Sequence, residues 1–325
     1  MTGIKTQGEK TLLLFSGRAH PALADEVAEN IEISVSPTQI REFANGEIYA
    51  RPEESVRGAD AFLIQSYGPP INKWVMEALI MVDALKRASA KRITVVMPFY
   101  PYARQDKKHL GREPISARLI ADLFKTAGAD RLMSVDLHTA QIQGFFDGPV
   151  DHLFALPLLA DYIADKYGSD FTVVSPDTGR VRMAERWADR LGGTDVAFVH
   201  KTRDVKVANE VVAHRVVGDV EGRRCLLIDD MIATGGTITK AADILLNSGA
   251  TEVVVAATHG EFSEPAIDRL KNSRISEVVV TNTLPLTDEH HYDGLTVLSI
   301  APLIARAIKE VFEDGSVTSL FDGNA

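Results

Sequence analysis

Cysteine is almost missing from this chain: Cys225 is the only one in 325 residues. That excludes an internal disulfide framework, and Cys225, set in an apolar run, is expected to pack rather than react. Long apolar runs are missing too, since none approaches the roughly 20 residues of a membrane span. The opening residues, MTGIKTQGEK, are polar and carry no apolar signal-type core, so a cytoplasmic protein without a membrane partner is expected. Positive charge is in deficit: 35 Lys and Arg stand against 45 Asp and Glu, a formal net charge of −10. Nucleic-acid and anionic-membrane surfaces need clustered positive charge, so the balance argues against both. There are no short repeats or low-complexity tracts. What is present, 45% hydrophobic and 25% charged residues, suits a globular protein long enough for two domains, each with its own core.

The most informative stretch is RCLLIDDMIATGGT, Arg224 to Thr237. A short apolar run from Cys225 to Ile228 ends in adjacent carboxylates, Asp229 and Asp230. Three residues later come Thr234, Gly235, Gly236 and Thr237, followed by a helical pattern from Ile238 to Asn247. Glycines at a helix start let backbone N–H groups converge on an anion, and the helix end adds partial positive charge. The carboxylates beside that cradle do not suit a second phosphate. They suit hydroxyl groups, or a metal bridging to a diphosphate. A sugar phosphate satisfies both halves. The alternative is a plain strand-to-helix turn with a good cap.

Elsewhere, apolar strands alternate with helical spacing. Strands are expected at Leu12–Phe15, Ala61–Gln65, Ile93–Met97, Arg131–Val135, Phe171–Val174, Val196–Val199, Val211–Val217, Val253–Ala257, Val278–Val280 and Val297–Ile300. Helices are expected from Pro21 to about Asn30, Asn72–Ala90, Ile115–Ala127, Gly179–Leu191, Pro265–Lys271 and from Ala301 to about Phe312. Asn45-Gly46 marks a tight turn that opens a further strand at Glu47. Such alternation implies an α/β fold with mostly parallel sheets covered by helices.

Three loops are chemically suggestive. PFYPYARQDKKHLGREP, residues 98 to 114, holds Arg104, Lys107, Lys108 and Arg112 against Asp106 and Glu113, with aromatics interleaved; this suits a nucleotide. His138 follows one strand and Asp177 another, at the ends where open α/β sheets place ligands. GFFDGPVDH, residues 144 to 152, is expected to be a loop near the domain boundary, and His200 opens a polar segment running to about Asn209.

Together the motifs FANGE (43–47), ARQDKK (103–108), GREPISAR (111–118), VDLHTAQIQGFFD (135–147), VSPD (174–177), HKTR (200–203) and DDMIATGGT (229–237) resemble those of the ribose-phosphate diphosphokinases, the enzymes that make 5-phosphoribosyl diphosphate (PRPP). The resemblance runs from about Leu12 to Phe321 and is strongest to actinobacterial members of the first class. It implies two tandem phosphoribosyltransferase-type domains, residues 1–153 on the ATP side and 154–325 on the ribose 5-phosphate side. It also implies transfer of the β,γ-diphosphoryl group of ATP to O1 of ribose 5-phosphate with Mg²⁺, releasing AMP. Carried over by position, Phe43, Asn45, Gly46, Glu47, Arg104 and Gln105 are expected at ATP, with the 43–47 segment acting on a neighbouring subunit. His138 and Asp177 are expected at Mg²⁺ sites, and Lys201 and Arg203 on a mobile catalytic loop. Arg203, Asp229, Asp230, Ala233, Thr234, Gly235, Gly236 and Thr237 are expected at ribose 5-phosphate. The family further implies a homohexamer responsive to phosphate and ADP.

One position departs: Ala233 stands where that family usually has Asp. The same Ala, in ATGGT, occurs in adenine phosphoribosyltransferases, so one rival is a nucleobase phosphoribosyltransferase that consumes PRPP. Two domains, the basic loop and FANGE are more than a short transferase needs. The other rival is a non-catalytic regulatory subunit of the same fold, against which Lys201, Arg203, His138 and Asp177 are all retained.

Overall fold

A computed structural model describes residues 3–5, 10–203 and 212–321, with the backbone alone for 3–5, 201–203, 212–214 and 321. The chain divides into two compact units: one takes the residues through Phe154 with Thr283–Pro285 and the segment from Ser299, the other Ala155–Asn282 with Leu286–Leu298.

The first unit contains β1 (Gly3–Lys5), β2 (Thr11–Ser16), α1 (Pro21–Ile31), β3 (Thr38–Glu42), β4 (Ile48–Pro52), β5 (Asp60–Ile64), α2 (Ile71–Arg87), β6 (Arg92–Met97), α3 (Ser116–Ala127), β7 (Arg131–Val135) and β8 (Val150–Leu153). Its sheet has the order β1-β2-β5-β6-β7-β8, parallel except for β1 against β2. All five residues of β5 are buried, as a strand covered on both faces requires. In α3 the buried residues Ala117, Ile120, Ala121 and Phe124 form a single stripe at helical spacing, and that stripe seats the helix on the core. The strands run in the same direction, so the loops 17–20, 98–115 and 136–149 all leave one edge of the sheet. β3 and β4 form a separate antiparallel hairpin with Glu42 opposite Ile48.

The second unit contains α4 (Leu156–Tyr167), β9 (Thr172–Ser175), α5 (Val181–Arg190), β10 (Val196–Arg203), β11 (Val212–Val217), β12 (Arg224–Ile232), α6 (Gly236–Asn247), β13 (Glu252–Gly260), α7 (Ala266–Lys271), β14 (Glu277–Thr281) and β15 (Leu295–Leu298). Its sheet has the order β11-β10-β9-β12-β13-β14-β15, with β11 antiparallel at the edge. Cys225 is fully buried in β12, and burial pushes its thiol up to about 12, which keeps it protonated and inert. Helix α8 (Ala301–Phe312) then belongs to the first unit, where it packs on α1 and Lys309 Nζ donates to the Asn30 carbonyl at 3.3 Å.

Several expectations are corrected. Residues 150–153 are strand β8, not loop: the preceding Asp-Gly-Pro disguises a short strand whose Asp151 accepts from Arg131 Nη1 at 2.8 Å. His200 to Arg203 continue β10 rather than opening a loop, because their backbone pairs with β11, His200 opposite Arg215 and Arg203 opposite Val212. The acidic pair lies inside β12, which runs on to Ile232 through its pairing with β13. Helix α4 and strand β3 were not anticipated. The second domain was expected to extend to residue 325, whereas the compact units put the segment from Ser299 with the first; an apolar face on α8, including Leu303, Ile304, Ala307 and Ile308, is buried there. Among the described residues no helix is long and apolar enough to cross a membrane.

Candidate active site

In the second unit, β12 delivers two carboxylates into different surroundings. Asp230 is 2% exposed, while the Asp229 side chain retains 15%. From the turn before α5, Arg180 places Nη2 2.8 Å from Asp230 Oδ1 and Nε 3.7 Å from Asp229 Oδ1. Asp229 Oδ1 also accepts the Asp230 N–H at 2.9 Å. Burial pushes the Asp229 carboxyl well above the usual carboxylate range, and the adjacent Asp230 pushes it further. Arg180 pulls the other way. The site therefore holds one tightly paired carboxylate and one that keeps a proton more readily than a free carboxyl does.

After Ile232 the chain turns through Ala233 and Thr234 into Gly235, whose φ of +71° reaches the left-handed region that favours glycine. A Cβ on Gly235 would meet the Ala266 carbonyl oxygen at 3.4 Å. Gly235 caps α6, and its carbonyl accepts both the N–H and the Oγ1–H of Thr239 at 3.0 Å. The N–H groups of the first helical turn have no partner within the helix, which is what makes a helix start an anion cradle. Thr234 and Thr237 are exposed beside it, Ala233 is half-buried, and Arg269 Nη1 steadies the loop by donating to the Thr234 carbonyl at 3.0 Å.

Asp177 follows β9 and caps a single 3-10 turn, its Oδ1 accepting the Gly179 N–H at 2.7 Å. Lys201 and Arg203 end β10; their side chains lie outside the described residues, as does the segment 204–211.

In the first unit, residues 43–47 form the tip of the β3–β4 hairpin. Gly46 has φ +89°, its N–H donates to the Phe43 carbonyl at 2.8 Å, and the Glu47 N–H donates to Asn45 Oδ1 at 3.1 Å. Phe43 stays 46% exposed, with Arg41 over its ring at 5.2 Å, so the tip offers a supported aromatic face. Arg104 and Gln105 are exposed on the basic loop, and Gln105 Oε1 accepts from Ser116 at 2.6 Å. Between them and Lys107, Asp106 turns inward: its Oδ2 accepts from Thr139 Oγ1 and Gln141 Nε2, each at 2.8 Å. His138 is half-buried in the turn after β7, where Asp136 has φ +38°. The Leu137 N–H in that turn donates to His152 Nε2 at 2.9 Å, which requires the ring nitrogen to be unprotonated there.

Two family models match this chain: the N-terminal domain of ribose phosphate pyrophosphokinase over residues 12–128, and a phosphoribosyl synthetase-associated domain over residues 201–322. A ribose-phosphate pyrophosphokinase from Streptomyces coelicolor is 70% identical over 323 residues, 99% of each chain. The chain belongs to the ribose-phosphate pyrophosphokinase family. The enzyme of that name from Mycobacterium tuberculosis is 64% identical over 98% of both chains. The crystal structure of phosphoribosylpyrophosphate synthetase from Mycobacterium smegmatis superposes with a TM-score of 0.89 at 61% identity, covering 94% of this chain and 99% of that one. The likeness in sequence and fold thus spans both units.

Asp177, Asp229, Asp230 and the Thr234–Thr237 turn belong to the second unit, and the 43–47 hairpin tip, Arg104, Gln105 and His138 to the first. Arg180, Asp106 and His152 were not singled out from sequence. Arg180 had one usable signal, its place three residues after Asp177 in SPDTGR. Asp106 looked like part of a solvated charged run.

Proposed function

We propose that this protein transfers the β,γ-diphosphoryl group of ATP to O1 of ribose 5-phosphate, yielding PRPP and AMP. The observation that carries this is full-length identity of 70% to a ribose-phosphate pyrophosphokinase. In this reading the α6 start and the Thr234–Thr237 loop hold the 5-phosphate, and Asp229 orients the ribose hydroxyls. Asp230, fixed by Arg180, supports Asp229 from behind. Phe43, Asn45, Gly46 and Glu47 form a face for adenine, offered to a neighbouring subunit of a homohexamer. Arg104 and Gln105 hold the ATP phosphates and ribose. Lys201 and Arg203 supply positive charge to the transferring group and exclude water, which matters because hydrolysis of ATP competes with transfer.

Mg²⁺ fits these residues. Asp177 offers a half-buried carboxylate with one oxygen fixed by Gly179, and a hard cation prefers oxygen. Mg²⁺ keeps several waters and takes few protein ligands, so one or two protein groups together with substrate phosphates would hold it. Sites at Asp177 and at His138 are assigned accordingly. Bound there, Mg²⁺ would neutralise the charge of the triphosphate. The protein acts in the cytoplasm, with phosphate and ADP as effectors.

The test is formation of AMP and PRPP from ATP and ribose 5-phosphate with Mg²⁺, inorganic phosphate and no nucleobase. Production of both supports the assignment. Turnover that requires a base and consumes PRPP would favour a nucleobase phosphoribosyltransferase, and absence of AMP together with binding to a catalytic chain would favour a regulatory subunit. An Ala233→Asp variant in the same assay measures what the absent acid is worth.

A further inference from the structure

Within residues 104–112 every side chain is exposed except one. Asp106, in the middle of the charged run, is 5% exposed. Burying a carboxylate is costly unless hydrogen bonds replace its water. Thr139 and Gln141 do this, and both bonds fall on a single oxygen, Oδ2. The two donors sit one and three residues beyond His138. The two residues just before Asp106 are Arg104 and Gln105.

We propose that Asp106 is a positioning residue, a latch joining the loop that carries Arg104 and Gln105 to the turn that carries His138. The inference rests on the reading of Arg104 and Gln105 as nucleotide contacts. Hydrogen bonds to a carboxylate are the stronger kind, and here they cross from the loop of residues 98–115 to the start of a short 3-10 helix, Ala140–Gly144. On its far side the same turn is held by His152 through the Leu137 N–H, and at its start Asp136 adopts a left-handed φ of +38°. A turn in that conformation keeps its shape only if its neighbours impose it. Asp106 thereby sets both how far Arg104 and Gln105 reach and where His138 points. Its neighbours Lys107 and Lys108, which are exposed, have no such anchor.

The test compares Asp106→Ala, Asp106→Asn and the double variant Thr139→Val/Gln141→Leu by AMP-forming kinetics, by ATP calorimetry and by amide hydrogen exchange over residues 137–142. Asp106→Ala is expected to weaken ATP by roughly tenfold to a hundredfold, as misplacement of contact groups does, while KM for ribose 5-phosphate stays within about twofold. Exchange over 137–142 speeds up. Asp106→Asn keeps an acceptor oxygen and is expected to retain most of the ATP affinity. The double variant should match Asp106→Ala, and adding Asp106→Ala to it should change little. Unchanged ATP affinity and exchange in Asp106→Ala would overturn the latch, as would equal loss for both substrates or an Asn variant as impaired as Ala. Hydrogen exchange reports on the latch whether or not AMP forms. A wild type that makes no AMP therefore refutes the functional assignment separately.

Discussion

Arg180 Nη2 lies 2.8 Å from Asp230 Oδ1, and Asp230 is only 2% exposed. The guanidinium comes from the turn before α5 and the carboxylate from within β12, so the ion pair fixes the acidic end of the proposed sugar-phosphate site to a second element. Removing one partner of a buried pair leaves an uncompensated charge, at a cost of about 3–5 kcal/mol. Arg180→Leu is therefore expected to lower the melting temperature by on the order of 10 °C in calorimetry. It should also raise KM for ribose 5-phosphate. A variant that melts like wild type would show that Asp230 is neutral or otherwise satisfied.

Asp229 gives the opposite signature. Its carboxyl is pushed up by burial and then by Asp230, so the folded protein binds a proton there more readily than the unfolded chain does. An acid whose folded pKa is raised carries no penalty below its unfolded pKa; stability falls as pH rises from that value to the folded one and stays lower above it. Asp229→Asn should thus match or exceed wild-type thermal stability at neutral pH, since the amide oxygen can still accept the Asp230 N–H. Affinity for ribose 5-phosphate should drop by roughly tenfold to a hundredfold, the worth of hydrogen bonds to a charged acceptor. Binding should release a proton near the raised pKa, measurable by calorimetry in two buffers of different ionisation enthalpy. An Asn variant that loses stability along with affinity would contradict this assignment.

Gly235→Ala tests the cradle. The φ of +71° costs a residue with a Cβ about 1–2 kcal/mol, and the new Cβ would sit 3.4 Å from the Ala266 carbonyl oxygen. The loop is expected to shift, raising KM for ribose 5-phosphate with KM for ATP little changed. Equal effects on both substrates would argue against a role confined to the sugar phosphate.

Far from the acidic pair, Glu277 is 4% exposed and accepts from Tyr162 at 2.8 Å, Lys166 at 2.9 Å, Tyr167 and Thr296. Burial raises its pKa, but these hydrogen bonds outweigh burial and leave it lowered. A lowered carboxylate contributes stability above its unfolded pKa and loses it as pH falls through the folded value. Glu277→Gln is expected to cost about 1.5–3 kcal/mol at pH 7 in urea unfolding. The gap to wild type should narrow below about pH 4. A gap independent of pH would mean that the charge contributes nothing.

Lys201 is proposed to act on the transferring group, so Lys201→Ala should slow turnover by on the order of a hundredfold or more while changing ribose 5-phosphate affinity little. Near-normal kcat with a weakened KM would instead make it a binding residue.

Much of this protein could be inferred before any coordinates. The buried parallel strands β2, β5, β6 and β12 are apolar runs, and a parallel sheet buried on both faces demands that pattern whatever its neighbours. The Thr234–Thr237 turn into α6 was legible because a glycine with positive φ before a helix is a local requirement, written in local residues. His138 and Asp177 were legible as polar residues just past the ends of strands, whereas Asp229 and Asp230, expected at such an end, lie inside β12. Strand β8 and the tail of β10 were not, because their residues are polar and only pairing with β7 and β11 makes them strands. The same applies to α8, whose apolar face does not say which unit will bury it. Above all, sequence could name the charged residues but not assign them partners. Asp106 and Lys107 are neighbours in one charged run, yet one is buried on Thr139 and Gln141 and the other faces solvent. Asp229 and Asp230 are adjacent in one strand, and Arg180, arriving from a separate turn, pairs closely with Asp230 and stands farther from Asp229. Local chemistry determined which groups are present; long-range packing decided which of them are neutralised, because burial and pairing depend on residues distant in the chain.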